Sequence, residues 1–174
     1  VTIDSTYSGS TAGVSVTNTG SGDTIVSSAG MFSSGSAYSD IYVLDNAGSG
    51  NLNVSQSAGS IGNITSGISG IYTVNLGTTG STTITQSGGT IIGAAGDGIY
   101  ATNGIYANGA TNNTTAGTDL NITVDGTVSG TQNGISAYNS GTGSTTISVD
   151  GSVTGAGTTS SNLTPALNTT GNQI

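Results

Sequence analysis

The sequence of 174 residues contains no lysine, arginine, histidine, cysteine, tryptophan or glutamate, and its eight charged side chains are all aspartates. Proteins that bind nucleic acid or anionic membranes contact phosphate groups through basic side chains, so we expect neither partner. No apolar run approaches the roughly 18 residues that a membrane-spanning helix needs. The formal charge of −8 favours solubility and repulsion from acidic surfaces.

The same absences argue against catalysis. Histidine, lysine, cysteine and glutamate supply most general bases and nucleophiles, and none is present. Aspartate pairs are the remaining acid–base option, and Asp40 and Asp45 share a strand region without an evident cleft. We therefore predict that the protein is not an enzyme and has no cofactor, with calcium as the one candidate ion.

Glycine is abundant, with 31 residues, and proline occurs once. Such a composition would suit a flexible linker, but isoleucine and valine recur at a regular spacing that a linker does not need. The segment Ile122–Gly130 is repeated as Ile147–Gly155, and a second motif recurs as Gly70–Asn75, Gly98–Asn103 and Gly134–Asn139. These repeats predict stacked structural units.

Anchored on the first repeat, equivalent apolar residues fall at Val1, Ile25, Val54, Ile84, Ile122 and Ile147. A second apolar site follows in each turn at Tyr7, Phe32, Ile61, Ile91, Val128 and Val153. About six turns with three short strands each predict an all-β fold, a parallel β-solenoid without significant helix. We take residues 1–174 as one such domain, or as a subunit or segment of a longer solenoid.

Alternation with period two assigns side chains to the inside or outside of each strand. Ile41, Ile71, Ile99 and Ile135 are expected to point inward, and Tyr42, Tyr72, Tyr100 and Ser136 to follow on the outer face. Equivalent residues of stacked turns form columns about 4.8 Å apart. One column, at a corner, is predicted to be an asparagine ladder with hydrogen bonds between turns, containing Asn18, Asp45, Asn75, Asn103, Asn139 and Asn168.

Three groups of residues are candidates for binding. The column of Tyr42, Tyr72 and Tyr100 could stack to stiffen the sheet or contact a sugar or a partner surface. Asp4, Asp125 and Asp150 share one phase, where they could form turns or hold calcium. The longest turn has its excess around residues 105–117, which we expect to protrude and to contact partners through Asn108, Asn112 and Asn113.

An outer row of hydroxyl side chains resembles the Thr-x-Thr arrays of ice-binding solenoids. Thr83 and Thr85 align with Thr146 and Ser148, but the alignment also places Asn53/Ser55, Asn121/Thr123 and Thr24/Val26 in the array. The predicted array is therefore irregular.

The phrases Gly98–Asn103 and Ile147–Gly155 resemble the passenger-domain repeats of bacterial autotransporters and related surface adhesins, most closely over residues 70–155. The resemblance implies a right-handed parallel β-helix displayed outside a Gram-negative cell. The resemblance assigns no binding residue to this sequence, because the positions that match the family's repeats belong to the structural scaffold.

The two ends of the sequence are predicted to continue each other in phase. Val1–Gly9 aligns with Ile147–Gly155, and residues 171–174 align with residues 143–146. We therefore expect a head-to-tail junction formed by Val1, Ile3, Gly171 and Ile174, with Asp4 beside Asp150, or a continuation in a longer chain. The expected function is an extracellular structural or adhesive rod contacting copies of itself and host surfaces or glycans; the alternative is a solenoid that binds glycans or ice.

Overall fold

The computed structural model describes residues 1–3, 7–9, 12–34, 39–46, 50–62, 68–104, 118–156 and 167–171. These residues form 18 strands, each of two to five residues. In chain order the strands are β1 (Thr2–Ile3), β2 (Tyr7–Gly9), β3 (Val14–Asn18), β4 (Thr24–Ser28), β5 (Met31–Ser34), β6 (Ile41–Asp45), β7 (Leu52–Gln56), β8 (Ser60–Ile61), β9 (Ile71–Asn75), β10 (Thr82–Gln86), β11 (Thr90–Gly93), β12 (Ile99–Asn103), β13 (Leu120–Val124), β14 (Thr127–Gly130), β15 (Ile135–Asn139), β16 (Thr145–Val149), β17 (Ser152–Gly155) and β18 (Leu167–Gly171).

Every third strand joins the same sheet. Sheet A has the order β1-β4-β7-β10-β13-β16, sheet B the order β2-β5-β8-β11-β14-β17, and sheet C the order β3-β6-β9-β12-β15-β18. Neighbouring strands are parallel in all three sheets, as in Ile84 opposite Ile122 and Ile99 opposite Ile135. The fold is therefore the predicted all-β parallel β-solenoid of six turns. In the described part of the chain, no helix is long and apolar enough to cross a membrane.

The core runs along the inside of the three sheets as columns of branched aliphatic side chains. Alternation buries every second residue of most strands, since the other residues point away from the axis. The inward residues Ile41, Ile71, Ile99 and Ile135 are at most 1% exposed, as are Val54, Ile84 and Ile122. Ile147 is partly buried and packs against the same cluster. The predicted second apolar site is also confirmed, from Tyr7 opposite Phe32 through to Val128 opposite Val153.

The corner before sheet C brings adjacent backbones too close for a side chain. A Cβ on Gly98 would lie 2.5 Å from Val128 Cγ1 and 2.7 Å from the carbonyl oxygen of Gly134. Real Cβ atoms do not approach other atoms so closely, so glycine is required where the chain turns into β12.

The sequence alignment of the second turn is wrong by one residue, whereas Val1 lies in the predicted column. Val26, not Ile25, lies opposite Val54, and Thr2 lies opposite Ser27, which puts Val1 level with Val26. Val26 is 1% exposed, whereas Ile25 is 53% exposed on the outer face. Two adjacent apolar residues fit either face of a strand, so local periodicity could not choose between them.

The last turn also has a different register from the predicted one. Leu167 lies opposite Ile135 and Gly171 opposite Asn139, so Gly171 is not in line with Gly143. Asn168 lies opposite Ser136, outside the asparagine column. This strand has one large apolar residue, Leu167, among Asn, Thr and Gly, so few side chains specify its register. The in-phase continuation from Ile174 to Val1 of a second copy thus loses its support, and Ile174 lies outside the described residues.

Candidate functional site

The tyrosine column on the outer face of sheet C is a ladder of stacked rings. Tyr42, Tyr72 and Tyr100 lie opposite one another in successive turns, as predicted. The centroids of Tyr42 and Tyr72 are 5.5 Å apart with planes 17° apart, and those of Tyr72 and Tyr100 are 4.6 Å apart with planes 11° apart. Such offset contacts stabilise neighbouring strands. The predicted stacking is therefore present, while ligand contact by these rings stays a prediction.

A fourth ring, which the repeat pattern did not predict, lies at the end of the ladder. Tyr138 lies opposite Thr102, one outer-face position away from the column, where Ser136 lies opposite Tyr100. Its ring centroid is nevertheless 5.5 Å from that of Tyr100, with the planes tilted by 41°. Ser136 was predicted to follow the tyrosines on the outer face; its register is as predicted, but its side chain is fully buried.

Burial keeps the phenols of this end of the ladder protonated. Loss of solvent around Tyr100 raises its pKa to about 12, with smaller contributions from Tyr138 and from the charge of Asp97. Burial also raises the pKa of Tyr138, Asp97 adds to the increase, and a hydrogen bond with Ser136 opposes it. Both rings are thus neutral throughout the physiological range.

A hydrogen-bonded chain of polar side chains lies beside these two rings. Asp97 is 8% exposed, and its Oδ1 accepts the backbone N–H of Asn133 at 3.0 Å and the Asn133 side-chain amide at 2.8 Å. The same Asn133 amide donates to Ser136 Oγ at 3.1 Å. Both of these hydrogen bonds to Asp97 are accepted by the same carboxylate oxygen. Asp97 precedes a glycine, a sequence that fits an ordinary turn, so the sequence alone gave no signal for this residue.

The predicted asparagine column exists, and its side chains both stabilise corners and link turns, since Asn75 Nδ2 donates to Thr82 Oγ1 at 3.3 Å and Thr82 Oγ1 donates to Asn103 Oδ1 at 2.6 Å. Asn18, Asp45, Asn75, Asn103 and Asn139 occupy successive turns at one position. Asn75 Oδ1 accepts the N–H of Gly77, and Asn139 Oδ1 accepts that of Gly141, both at 2.9 Å. Between column side chains the described bond runs from Asn18 Nδ2 to Asp45 Oδ2, at 3.3 Å. The column therefore closes the corner between sheets C and A.

A buried glutamine pair inside sheet A was not anticipated. Gln56 and Gln86 are at most 1% exposed, and Gln86 Nε2 donates to Gln56 Oε1 at 3.1 Å. Each amide also donates to a corner carbonyl of its own turn, that of Gly59 or Gly89. The period-two alternation that places Val54 and Ile84 inside also places these glutamines inside. Alternation alone could therefore have predicted their burial.

The candidate calcium residues do not form a site in the described part of the chain. Asp125 and Asp150 follow the paired residues Val124 and Val149, which confirms their common phase, and both are exposed. No group of three potential metal ligands occurs among the described residues, and Asp4 lies outside them. Other aspartates have structural roles, because Asp23 and Asp119 accept the backbone N–H groups of Asn51 and Ser144 in the next turn.

The corrected register changes the outer face of sheet A. Thr24 and Val26 point inward, so the array predicted to contain them was wrong at that turn. Opposed positions now form an unbroken column of hydroxyl residues: Thr2, Ser27, Ser55, Thr85, Thr123 and Ser148. The neighbouring outer column is mixed, with Ile25, Asn53, Thr83, Asn121 and Thr146.

The remaining predicted contact residues are only partly described. Asn108, Asn112 and Asn113 lie outside the described residues. At the predicted junction, Val1 is 59% exposed and its ammonium group donates to the carbonyl of Ile25 at 2.7 Å. Ile3 pairs with Ser28 through its backbone.

Comparison with protein-family models, with curated proteins and with solved structures finds no match to this chain.

Proposed function

We propose that the chain is an extracellular structural or adhesive rod, displayed on a bacterial surface, that assembles end to end through its terminal strands. The supporting observation is the arrangement of strand edges. In the described structure β1, β2 and β3 pair on one side only, and so do β16, β17 and β18 at the opposite end. The unpaired backbone groups at the edge of a parallel sheet can pair with a further strand, and a second copy of the chain has three strands in the same order.

The backbone of β3 identifies where pairing can be blocked. Val14 donates its N–H to the carbonyl of Asp40, the residue before β6. Residues of a strand alternate their backbone groups between the two sides, so Thr17 presents its N–H to the free edge. Proline at position 17 would remove this donor and leave the bonds to β6 in place.

Static light scattering and electron microscopy test the assembly. We expect the protein to form rods whose mass rises with concentration, Thr17→Pro to reduce that mass, and Thr17→Ala to leave it unchanged. A stable monomer from pH 4 to pH 8, with and without calcium, would refute the proposal. Equal assembly by Thr17→Pro would refute pairing through β3.

The alternative, a solenoid that binds glycans or ice, is favoured by the continuous hydroxyl column of sheet A. Hydroxyls about 4.8 Å apart along the column can hydrogen-bond to a ligand with a regular flat surface. Retention on insoluble cellulose, on chitin or in ice tests this function. A bulky Thr85→Tyr substitution should abolish retention, while Thr127→Tyr, at an exposed position of sheet B, should not. Wild-type protein that none of the three materials retains would exclude this alternative.

A further inference from the structure

Two strands of sheet A carry the motif Asn-x-Ser/Thr on their outer face. The matches are Asn53–Ser55 in β7 and Asn121–Thr123 in β13. Because side chains two residues apart point to the same face of a strand, each asparagine amide has its hydroxyl group as a neighbour. All four of these side chains are partly exposed. The motif is the acceptor for attachment of a glycan to asparagine in secreted proteins.

The structure distinguishes these two asparagines from others in the chain. A sequence rich in Asn, Ser and Thr contains the motif by chance, so the motif alone selects no position. Asn75, Asn103 and Asn139 are buried at corners, and their side chains form hydrogen bonds that hold those corners. Asn53 and Asn121 instead point outward from the second residue of a strand. The motif also occurs at five asparagines whose side chains lie outside the described residues: Asn63, Asn112, Asn113, Asn162 and Asn168.

A glycan on either asparagine would leave the fold intact. The inward neighbours Val54 and Ile122 belong to the apolar core, whereas a sugar on the amide extends away from it. Thr83 is the outer-face residue between the two sites, opposite Asn53 on one side and Asn121 on the other. The sites are therefore two turns apart, about 10 Å along the axis, so each has its own part of the surface.

We propose that Asn53 and Asn121 are N-glycosylation sites, which place two glycans on the outer face of sheet A. The amide nitrogen attacks the anomeric carbon of a sugar held on a lipid diphosphate. The C–N bond forms as the C–O bond to the diphosphate breaks, and the amide gives up one proton. The hydroxyl of Ser55 or Thr123 is the group by which the transferase recognises the acceptor. The inference rests on the proposed extracellular location, because the motif is modified in secreted proteins.

The position of the motifs within the sheet determines when the reaction occurs. Strand β7 is paired with β4 and β10, and β13 with β10 and β16. A transferase has to enclose its acceptor segment, but a strand that is paired on both sides presents one face. The unpaired chain is therefore the substrate, and the glycans are in place before the turns stack.

Peptide mass spectrometry of the protein purified from its native source tests the sites. The sequence contains no lysine or arginine, so trypsin does not cut it, but a protease that cleaves before aspartate releases residues 119–124 with Asn121 inside. We expect sugar on Asn121 and Asn53, and none on Asn51, which is exposed but has no hydroxyl two residues later. Unmodified Asn53 and Asn121 in protein recovered from outside the cell would overturn this inference alone. Recovery from inside the cell alone would overturn the proposed function as well.

Substitutions within one motif separate recognition of the motif from simple exposure of an asparagine. Thr123→Ala keeps Asn121 but removes the hydroxyl, and should abolish the sugar on Asn121. Thr123→Ser retains the hydroxyl and should keep the sugar. Thr85→Ala, the same change at the opposed position of the neighbouring strand, should also keep it. Sugar on Asn121 that persists in Thr123→Ala would overturn the inference.

Discussion

At the scale of single residues, two buried glutamines show how backbone and amide partners allow polar groups in the interior. Gln56 and Gln86 are buried in sheet A because each amide reaches corner carbonyls and the two bond to each other. The next residue in their column is Val124, which is fully buried. The apolar columns beside them offer no such partners, so a charge there would remain unpaired.

Ile122→Asp tests the assignment of the apolar column. Ile122 lies between Ile84 and Ile147 and is 1% exposed, so we expect the free energy of unfolding to fall by about 3–5 kcal/mol. Thr123→Asp, on the outer face of the same strand, is the control and should change it by less than about 1 kcal/mol. Chemical denaturation measures both. Wild-type stability of Ile122→Asp would show that the register is wrong.

Tyr100 makes stability depend on alkaline pH. Its pKa is raised from 10.0 to about 12 in the folded protein, so the folded state retains its proton longer than the unfolded state does. The resulting contribution to stability is fully present below pH 10 and is lost as the pH rises from 10 towards 12. Spectrophotometric titration should show a late phenol transition that Tyr100→Phe reduces by one phenol. A titration in which every tyrosine ionises near pH 10 would contradict this.

At the scale of strands and turns, the sequence predicts register wherever a large apolar residue recurs at one position and the adjacent residues of the strand are not apolar. From Val54 onward, Ile84, Ile122 and Ile147 align as predicted, as does the tyrosine column. The prediction failed at Ile25–Val26, where both faces are apolar, and at β18, where neither face is marked strongly.

The candidate site was harder to predict than the strands that carry it. Tyr138 belongs to a different column from the other rings, and its contact with Tyr100 depends on side-chain tilt, which periodicity does not encode. Asp97 and Asn133 are 36 residues apart in sequence and meet only because two turns stack. The burial of the glutamine pair was predictable from its position, since alternation places both residues inside.

Deleting residues 108–116 tests whether the longest turn carries an excess segment. The spacing from Ile84 to Ile122 is 38 residues, whereas the neighbouring aligned spacings are 30 and 25 residues. The deletion removes nine residues and brings this turn to a comparable length. Residues flanking the segment are held independently, since Thr118 donates its N–H to Gly80 and Asn103 donates to the carbonyl of Asp119. We expect a wild-type circular dichroism spectrum and cooperative unfolding; global unfolding would refute the prediction.

At the scale of the whole molecule, we expect stability to differ between the inner strands and the edge strands of the described structure. Inner strands such as β9, β10 and β11 pair on both sides, while β1, β2, β3, β16, β17 and β18 pair on one side in the described structure. Solenoid stability is approximately a sum over turns and the contacts between them, so the outermost turns open most readily.

Amide hydrogen exchange measures this gradient. We expect slow exchange in the inner strands and fast exchange in the six edge strands of dilute protein. Raising the protein concentration should slow exchange at the edges if copies pair end to end. Uniform protection along the chain in dilute solution would contradict the gradient, and edge exchange that is independent of concentration would contradict end-to-end pairing.

The stacking of every strand on its counterpart in the next turn also determines how the rod responds to mechanical force. The hydrogen bonds between turns point along the rod axis, so tension along this axis pulls directly on the bonds of one turn at a time. Detaching the shortest inner turn, with an aligned spacing of 25 residues, would release about 85 Å of extended chain. A rod anchored at one end would therefore lengthen in discrete steps under load, from its ends inward, and could wind back turn by turn when the load is removed.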